Sequence, residues 1–206
     1  MTPSGKRTAL MTFCVLALAA AGGYTSTYLA SKPGVQPHTY GNEVGRSFPP
    51  MDSTTVTMTD QTFRNRWMLV LFGATHCAED ACAPALRNMS AALDQVEGGR
   101  HNAVIIFVSL DPDRDDAERL RQYGESIGPR IVSGTAAPFA LADLAKEYHA
   151  PIEKVPDPEW TYTMRMSPQF VVMGPEVRYK GMVDARADSA HMAADLRRIM
   201  QSQNGE

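Results

Sequence analysis

The stretch WMLVLFGATHCAEDACAPALRNM, Trp67 to Met89, decides how the rest of the chain is read. Its continuous apolar run, Trp67 to Phe72, ends at Gly73 and predicts a short strand buried on both faces. A polar turn follows, carrying His76, Cys77 and Cys82. From Pro84 onward, Leu86, Met89, Leu93 and Val96 recur at helical spacing, and Gly98-Gly99 predicts where that helix stops. Two of the chain's 3 cysteines thus sit between a buried strand and an amphipathic helix.

Outward from this unit the pattern repeats. Ala103 to Val108 (AVIIFV) is a second buried run. Asp111-Pro112 predicts a helix start, with Asp113, Asp115 and Asp116 near its positive end and Ala117, Leu120, Tyr123 and Ile127 on its apolar face. Ile131-Val132 reads as a short strand, and Pro138 opens a helix bearing Leu141, Leu144, Ala145 and Tyr148. His149 to Thr163, holding Pro151, Pro156 and Pro158, reads as an irregular excursion. Gln169 to Met173 and Val177 to Val183 read as two strands joined through Gly174-Pro175, and a last helix from Ser189 turns Met192, Leu196 and Ile199 inward. Upstream, Thr54 to Met58 alternates like a first strand. The order predicts an α/β domain of thioredoxin-like architecture: a central mixed sheet flanked by helices, with a proline-bearing insertion before the last hairpin. Order alone also allows other α/β folds.

With 206 residues, 44% of them apolar, the chain holds one domain with a proper core, expected over residues 51–203. Residues 31–50, rich in proline and glycine, read as an extended linker. In residues 1–30, Lys6 and Arg7 precede an uncharged run from Ala9 to Ala21, and the stretch free of charge continues to Ala30. This is either a signal anchor or a signal peptide ending at Ala19-Ala20-Ala21. Both place the domain outside the cytoplasm, and the anchor reading puts it on the periplasmic side of the inner membrane. Cys14 lies inside the apolar run and reads as a small apolar residue. Net charge is -3 and the basic residues are dispersed, so no nucleic-acid partner is expected.

In an oxidising compartment two nearby cysteines become a structural disulfide, a redox pair or a soft-metal site. The loop between Cys77 and Cys82 is so small that closing it removes little unfolded-chain entropy, which disfavours a purely structural staple. A helix N-terminus favours the thiolate that both exchange and copper binding need, while Glu79 and Asp80 oppose it and make the turn acidic. Residues five apart on a regular helix point in different directions. For the sulfurs to meet, Cys77 must precede the helix proper, or the first turn must be distorted.

These residues resemble the Sco/SenC family of copper chaperones, a branch of the thioredoxin-like fold. The resemblance runs from about Thr54 to Met200. It rests on LVLFGATHC, on Ala83-Pro84, on FVSLDPDRDDAERL (Phe107 to Leu120), similar to the family's VDPxRD segment, and on LADLAKEYHA (Leu141 to Ala150). It implies binding of copper, Cu(I) or Cu(II), by two cysteines and a histidine, and a part in assembling the copper site of a respiratory oxidase. The implied partner is the oxidase's copper-site subunit or another copper-site protein. Cys77 and Cys82 match the cysteine pair, with four residues between them where the family has three. Met166 stands at the ligand histidine's place, and His76 belongs to the pre-cysteine sequence. Two readings of Met166 stand together: a thioether ligand, which suits Cu(I) better than Cu(II), or one of 12 methionines that simply packs. Pro168 resembles the thioredoxin proline that faces the active cysteines on a cis bond, and it also reads as a proline starting a strand. The resemblance leaves three functions: copper carrier, thiol-disulfide oxidoreductase with Cys77 attacking and Cys82 resolving, or a member retaining only the fold. A peroxidase is disfavoured, because Leu71-Phe72-Gly73-Ala74 lacks the threonine and proline expected ahead of a peroxidatic cysteine.

Overall fold

The computed structural model describes residues 51–52, 57–98 and 102–201. The leader, the linker and Thr54–Val56 lie outside the described residues. A five-stranded sheet runs in the order β5-β4-β3-β8-β9. Its strands are β3 (Trp67–Gly73), β4 (Ala103–Ser109), β5 (Ile131–Gly134), β8 (Gln169–Met173) and β9 (Tyr179–Asp184). The first three are parallel, β8 is antiparallel to β3, and β9 is antiparallel to β8. This is the expected mixed sheet.

Both faces of the sheet are covered, which is why β3 and β4 read as unbroken apolar runs. Side chains alternate across it. Met68, Val70, Phe72, Val104, Ile106 and Val108 pack with α3 (Pro138–Glu147) on one face. Leu69, Leu71, Ile105 and Phe107 face α1 (Cys82–Glu97), α2 (Ala117–Ile127) and α4 (Ser189–Gln201) on the other.

Several boundaries differ from expectation. Helix α1 begins at Cys82, two residues before Pro84, which a first turn tolerates because its N–H needs no partner there. Helix α2 begins at Ala117 rather than Asp111: Asp116 caps it by accepting the Arg119 N–H at 2.8 Å, while residues 111–115 form a separate turn. Strand β9 begins two residues late, because Val177 sits at φ 62 in the turn ahead of it. Thr57–Met58 (β2) pairs with Met51–Asp52 (β1) and not with the central sheet.

The proline-bearing excursion is an ordered hairpin. Strand β6 (Lys154–Asp157) pairs antiparallel with β7 (Thr161–Met164), Pro156 lying opposite Tyr162. A two-stranded ribbon has two edges, so a proline lacking its N–H fits without breaking a central ladder.

At the end of the sheet where β3 and β4 begin, the Arg130 guanidinium, almost fully buried, pairs with an equally buried Glu97 and with Asp94 at 2.9 Å. Removing Glu97 leaves the buried Arg130 guanidinium only Asp94, whose side chain is largely exposed. Glu97→Ala is expected to lower stability by about 3 kcal/mol in urea unfolding, more than a surface ion pair contributes.

Candidate functional site

Past β3, Cys77 is extended (φ -88, ψ 134), and a single 3-10 turn, Ala78–Asp80, precedes α1. Within that turn Glu79 and Asp80 both adopt positive φ, 59 and 50. Two successive non-glycine residues in the left-handed region cost on the order of 1 kcal/mol each or more. They kink the chain so that Cys77 is carried back over the helix start. The Cα atoms of Cys77 and Cys82 lie 5.8 Å apart and the sulfurs form a disulfide. The first of the two alternatives is therefore realised: Cys77 precedes the helix, and the kink lies in the turn between it and Cys82.

The pair is set into the core. Cys82 is fully buried and Cys77 is 6% exposed. Room for the Cys82 sulfur comes from Gly73: a Cβ there would stand 2.5 Å from Cys82 Sγ and 3.1 Å from the Phe107 ring. Glycine at the end of β3 is thus a packing requirement of the disulfide.

The turn between β4 and α2 holds the cysteine loop in place. Asp115, completely buried, accepts the Thr75 backbone N–H at 2.9 Å, the Thr75 hydroxyl at 2.5 Å and the Ser109 hydroxyl at 2.6 Å. Thr75 Oγ1 lies 3.2 Å from His76 Nδ1. Asp111 accepts from Arg114 Nε at 2.6 Å and from the Tyr162 hydroxyl at 2.9 Å. Arg114 Nη1 donates to the carbonyls of Trp160 and Tyr162, and its guanidinium lies 3.8 Å over the Tyr162 ring. One short segment thereby secures both the loop before Cys77 and the β6–β7 hairpin, and the His76 and Trp160 rings meet at 4.4 Å.

Residues 164–167 run along the same edge. The Met164 N–H donates to the His76 carbonyl, and the Ser167 N–H donates to the Phe72 carbonyl. The Phe72 N–H in turn donates to Ser167 Oγ at 3.2 Å. Met166 is buried in the apolar cluster that contains Cys77 and Cys82, whereas Met164 belongs to the cluster on the opposite face. Among the described residues, no three of His, Cys, Asp and Glu converge on a metal-sized site. Soft donors are what this position offers. Pro168 is exposed directly ahead of β8, and no peptide bond among the described residues is cis, so the cis bond implied by the resemblance is not found. Proline-before-strand is the reading that holds.

Around the turn, Glu79 lies 3.6 Å from Arg186 and 4.0 Å from Arg165. A hydrogen bond from Arg165 to Glu153, with the charges of Glu153 and Glu79 behind it, holds the Arg165 guanidinium above its ordinary pKa. Nothing local in the sequence signals Thr75 or Trp160, and Gly73 reads there only as the end of a strand. Asp115 reads as a helix-dipole residue, although it belongs to the DPDRD segment that carries the resemblance.

The SCO1/SenC family model matches residues 36–201, and the chain belongs to that family. It is 27% identical over 123 residues to SCO1 homolog 1, mitochondrial, of Arabidopsis thaliana, covering 59% of this chain and 36% of the relative. To protein sco1 of Schizosaccharomyces pombe it is 28% identical over 155 residues, covering 73% and 59%. The chain thus spans about a third to three fifths of these curated relatives. Among solved structures, copper-bound ScoI of Arabidopsis thaliana aligns with TM-score 0.71 at 22% identity, covering 78% of this chain and 99% of that one. Copper-bound ScoI of Bradyrhizobium japonicum aligns at 0.65 and 27% identity, covering 76% and 99%. BsSco, described as having a disulfide switch and as belonging to the Sco family of cytochrome c oxidase assembly proteins, aligns at 0.60 and 15%, covering 79% and 95%. The thioredoxin-like fold of the Sco proteins is the fold of this chain.

Gly73→Ala is expected to leave Cys82 Sγ no room beside Phe107, costing about 1–3 kcal/mol by overpacking. Thiol titration of the air-oxidised variant then finds more free cysteine than in the unaltered protein, where Cys77 and Cys82 are paired.

Proposed function

We propose that this domain carries copper, taking Cu(I) as cargo on the reduced Cys77–Cys82 pair and passing it to a copper-site protein, foremost the copper-site subunit of a respiratory oxidase. The observation that carries the reading is the meeting of the two cysteine sulfurs in the cluster that also buries Met166. Two thiolates and a thioether are soft donors and select Cu(I) over Cu(II). As a disulfide the pair offers no thiolate, so loading requires prior two-electron reduction. Family membership, and the copper held by the Bradyrhizobium japonicum structure, support the same reading. We place the domain on the periplasmic face of the inner membrane, tethered by residues 1–30. The charge-free run there supports that placement.

A second reading, thiol-disulfide exchange on a copper-site protein, draws on the closed disulfide itself. Here Cys77 exchanges with the client's sulfur and Cys82, at the helix N-terminus, resolves or leaves as the thiolate.

Titration of the reduced domain with Cu(I) against a competing chelator tests the first reading. One-to-one binding is expected, lost in the oxidised protein and weakened at least about a hundredfold in Cys77→Ser and Cys82→Ser. Met166→Ala is expected to weaken it about tenfold. Unchanged affinity there removes Met166 from the ligand set, and absence of binding by the reduced protein ends the copper reading.

A further inference from the structure

Three large apolar side chains stand exposed among the described residues: Phe139, Ile152 and Trp160. All belong to the end of the sheet that carries Cys77. Phe139 opens the helix after β5, which is parallel to β3, and Ile152 adjoins Glu153, whose carbonyl and carboxylate both bind Arg165 beside Glu79. Trp160 is the best placed, because its ring packs on His76, the residue before Cys77.

The Trp160 backbone is clamped on both sides. Asp157 Oδ1 accepts the N–H groups of Glu159 and Trp160 at 2.9 Å each, and Arg114 holds the Trp160 carbonyl. Trp160 is nevertheless 48% exposed, so the clamp does not serve to bury it. A half-exposed aromatic on a fixed backbone loses little freedom when a partner covers it, which is the character of an interface hot spot.

Charge narrows the partner. The cations around the β6–β7 hairpin and Glu79 are engaged: Arg165 with Glu153, Arg186 with Glu79, and Lys154 over the Tyr162 ring at 4.1 Å. Glu159, exposed and adjoining Trp160, forms no ion pair among the described residues, whereas Asp80 acts with Arg87 on Tyr123. The face around the disulfide therefore favours a basic partner.

We propose that Trp160, flanked by Glu159, is the docking surface for a client protein that presents a cysteine in an apolar segment flanked by lysine or arginine. The inference rests on the exchange reading. In the step it serves, the client thiolate attacks Cys77 Sγ and forms a mixed disulfide. The Cys77–Cys82 bond breaks, and Cys82 leaves as a thiolate that takes up a proton. A second client thiol then displaces Cys77, so two client thiols are oxidised to a disulfide as this disulfide is reduced to two thiols.

The test measures reduction rates of the oxidised protein by three thiols. Two are blocked pentapeptides with a central cysteine between leucines, one with outer lysines and one with outer glutamates. The third is 2-mercaptoethanol, too small to span Trp160 and the sulfur. In the unaltered protein the lysine peptide is expected to react faster than the glutamate peptide. Trp160→Ala is expected to slow the lysine peptide about tenfold while leaving 2-mercaptoethanol within about twofold. Glu159→Lys, a surface change that leaves Trp160 in place, is expected to reduce the lysine preference about threefold. The docking proposal alone is overturned if 2-mercaptoethanol opens the disulfide but Trp160→Ala slows neither peptide, or slows all three thiols equally, or if the peptides show no lysine preference. If no thiol opens the disulfide, the exchange reading falls, and the docking proposal falls with it.

Discussion

The carboxylate of Asp115 is the constraint on which the rest of the site depends. A buried carboxylate is tolerable only when its lone pairs are met. Here a backbone N–H and two hydroxyls meet them, and two of those three donors belong to Thr75, two residues before Cys77. Desolvation thus becomes positional control, because the loop cannot move away without stranding a buried charge. Arg114 and Asp111, from the same turn, hold the β6–β7 hairpin against the other side. Both walls of the site are fastened to one loop between a central strand and a helix.

Against that rigid frame the cysteine turn is the departure. One extra residue between the cysteines is taken up by Glu79 and Asp80 in left-handed conformations, and the helix starts on Cys82 itself. The glycine at the end of β3 admits the sulfur that results. A four-residue spacing therefore still brings the sulfurs together. The altered spacing does not separate this chain from two-sulfur chemistry.

Met166, which the resemblance sets at the place of the family's histidine, has a comparable resolution. Met166 lies in the cluster of the cysteine pair, so the position retains a donor atom while its hardness changes. The same burial is what a packing methionine shows. The chemistry on offer is all sulfur, and His76, despite its place before Cys77, is engaged with Thr75 and Trp160.

The sequence by itself determined the sheet and its helices, because apolar periodicity follows from which faces must be covered. Trp67 to Phe72 and Ala103 to Val108 announce strands buried on both sides, and Gly98 ends α1 at φ 55 as its lack of a side chain permits. It also marked Cys77 and Cys82 and the DPDRD segment. Only the tertiary structure decided what those residues do to one another. Asp115 sits near a helix N-terminus in sequence yet is claimed by Thr75, since a buried contact across 40 positions leaves no local signature. The prolines of residues 151–158 read as breakers, yet a ribbon free of the main sheet accommodates Pro156. The closing of Cys77 on Cys82 turned on two positive φ values and a missing side chain at Gly73, and no hydrophobic period encodes either.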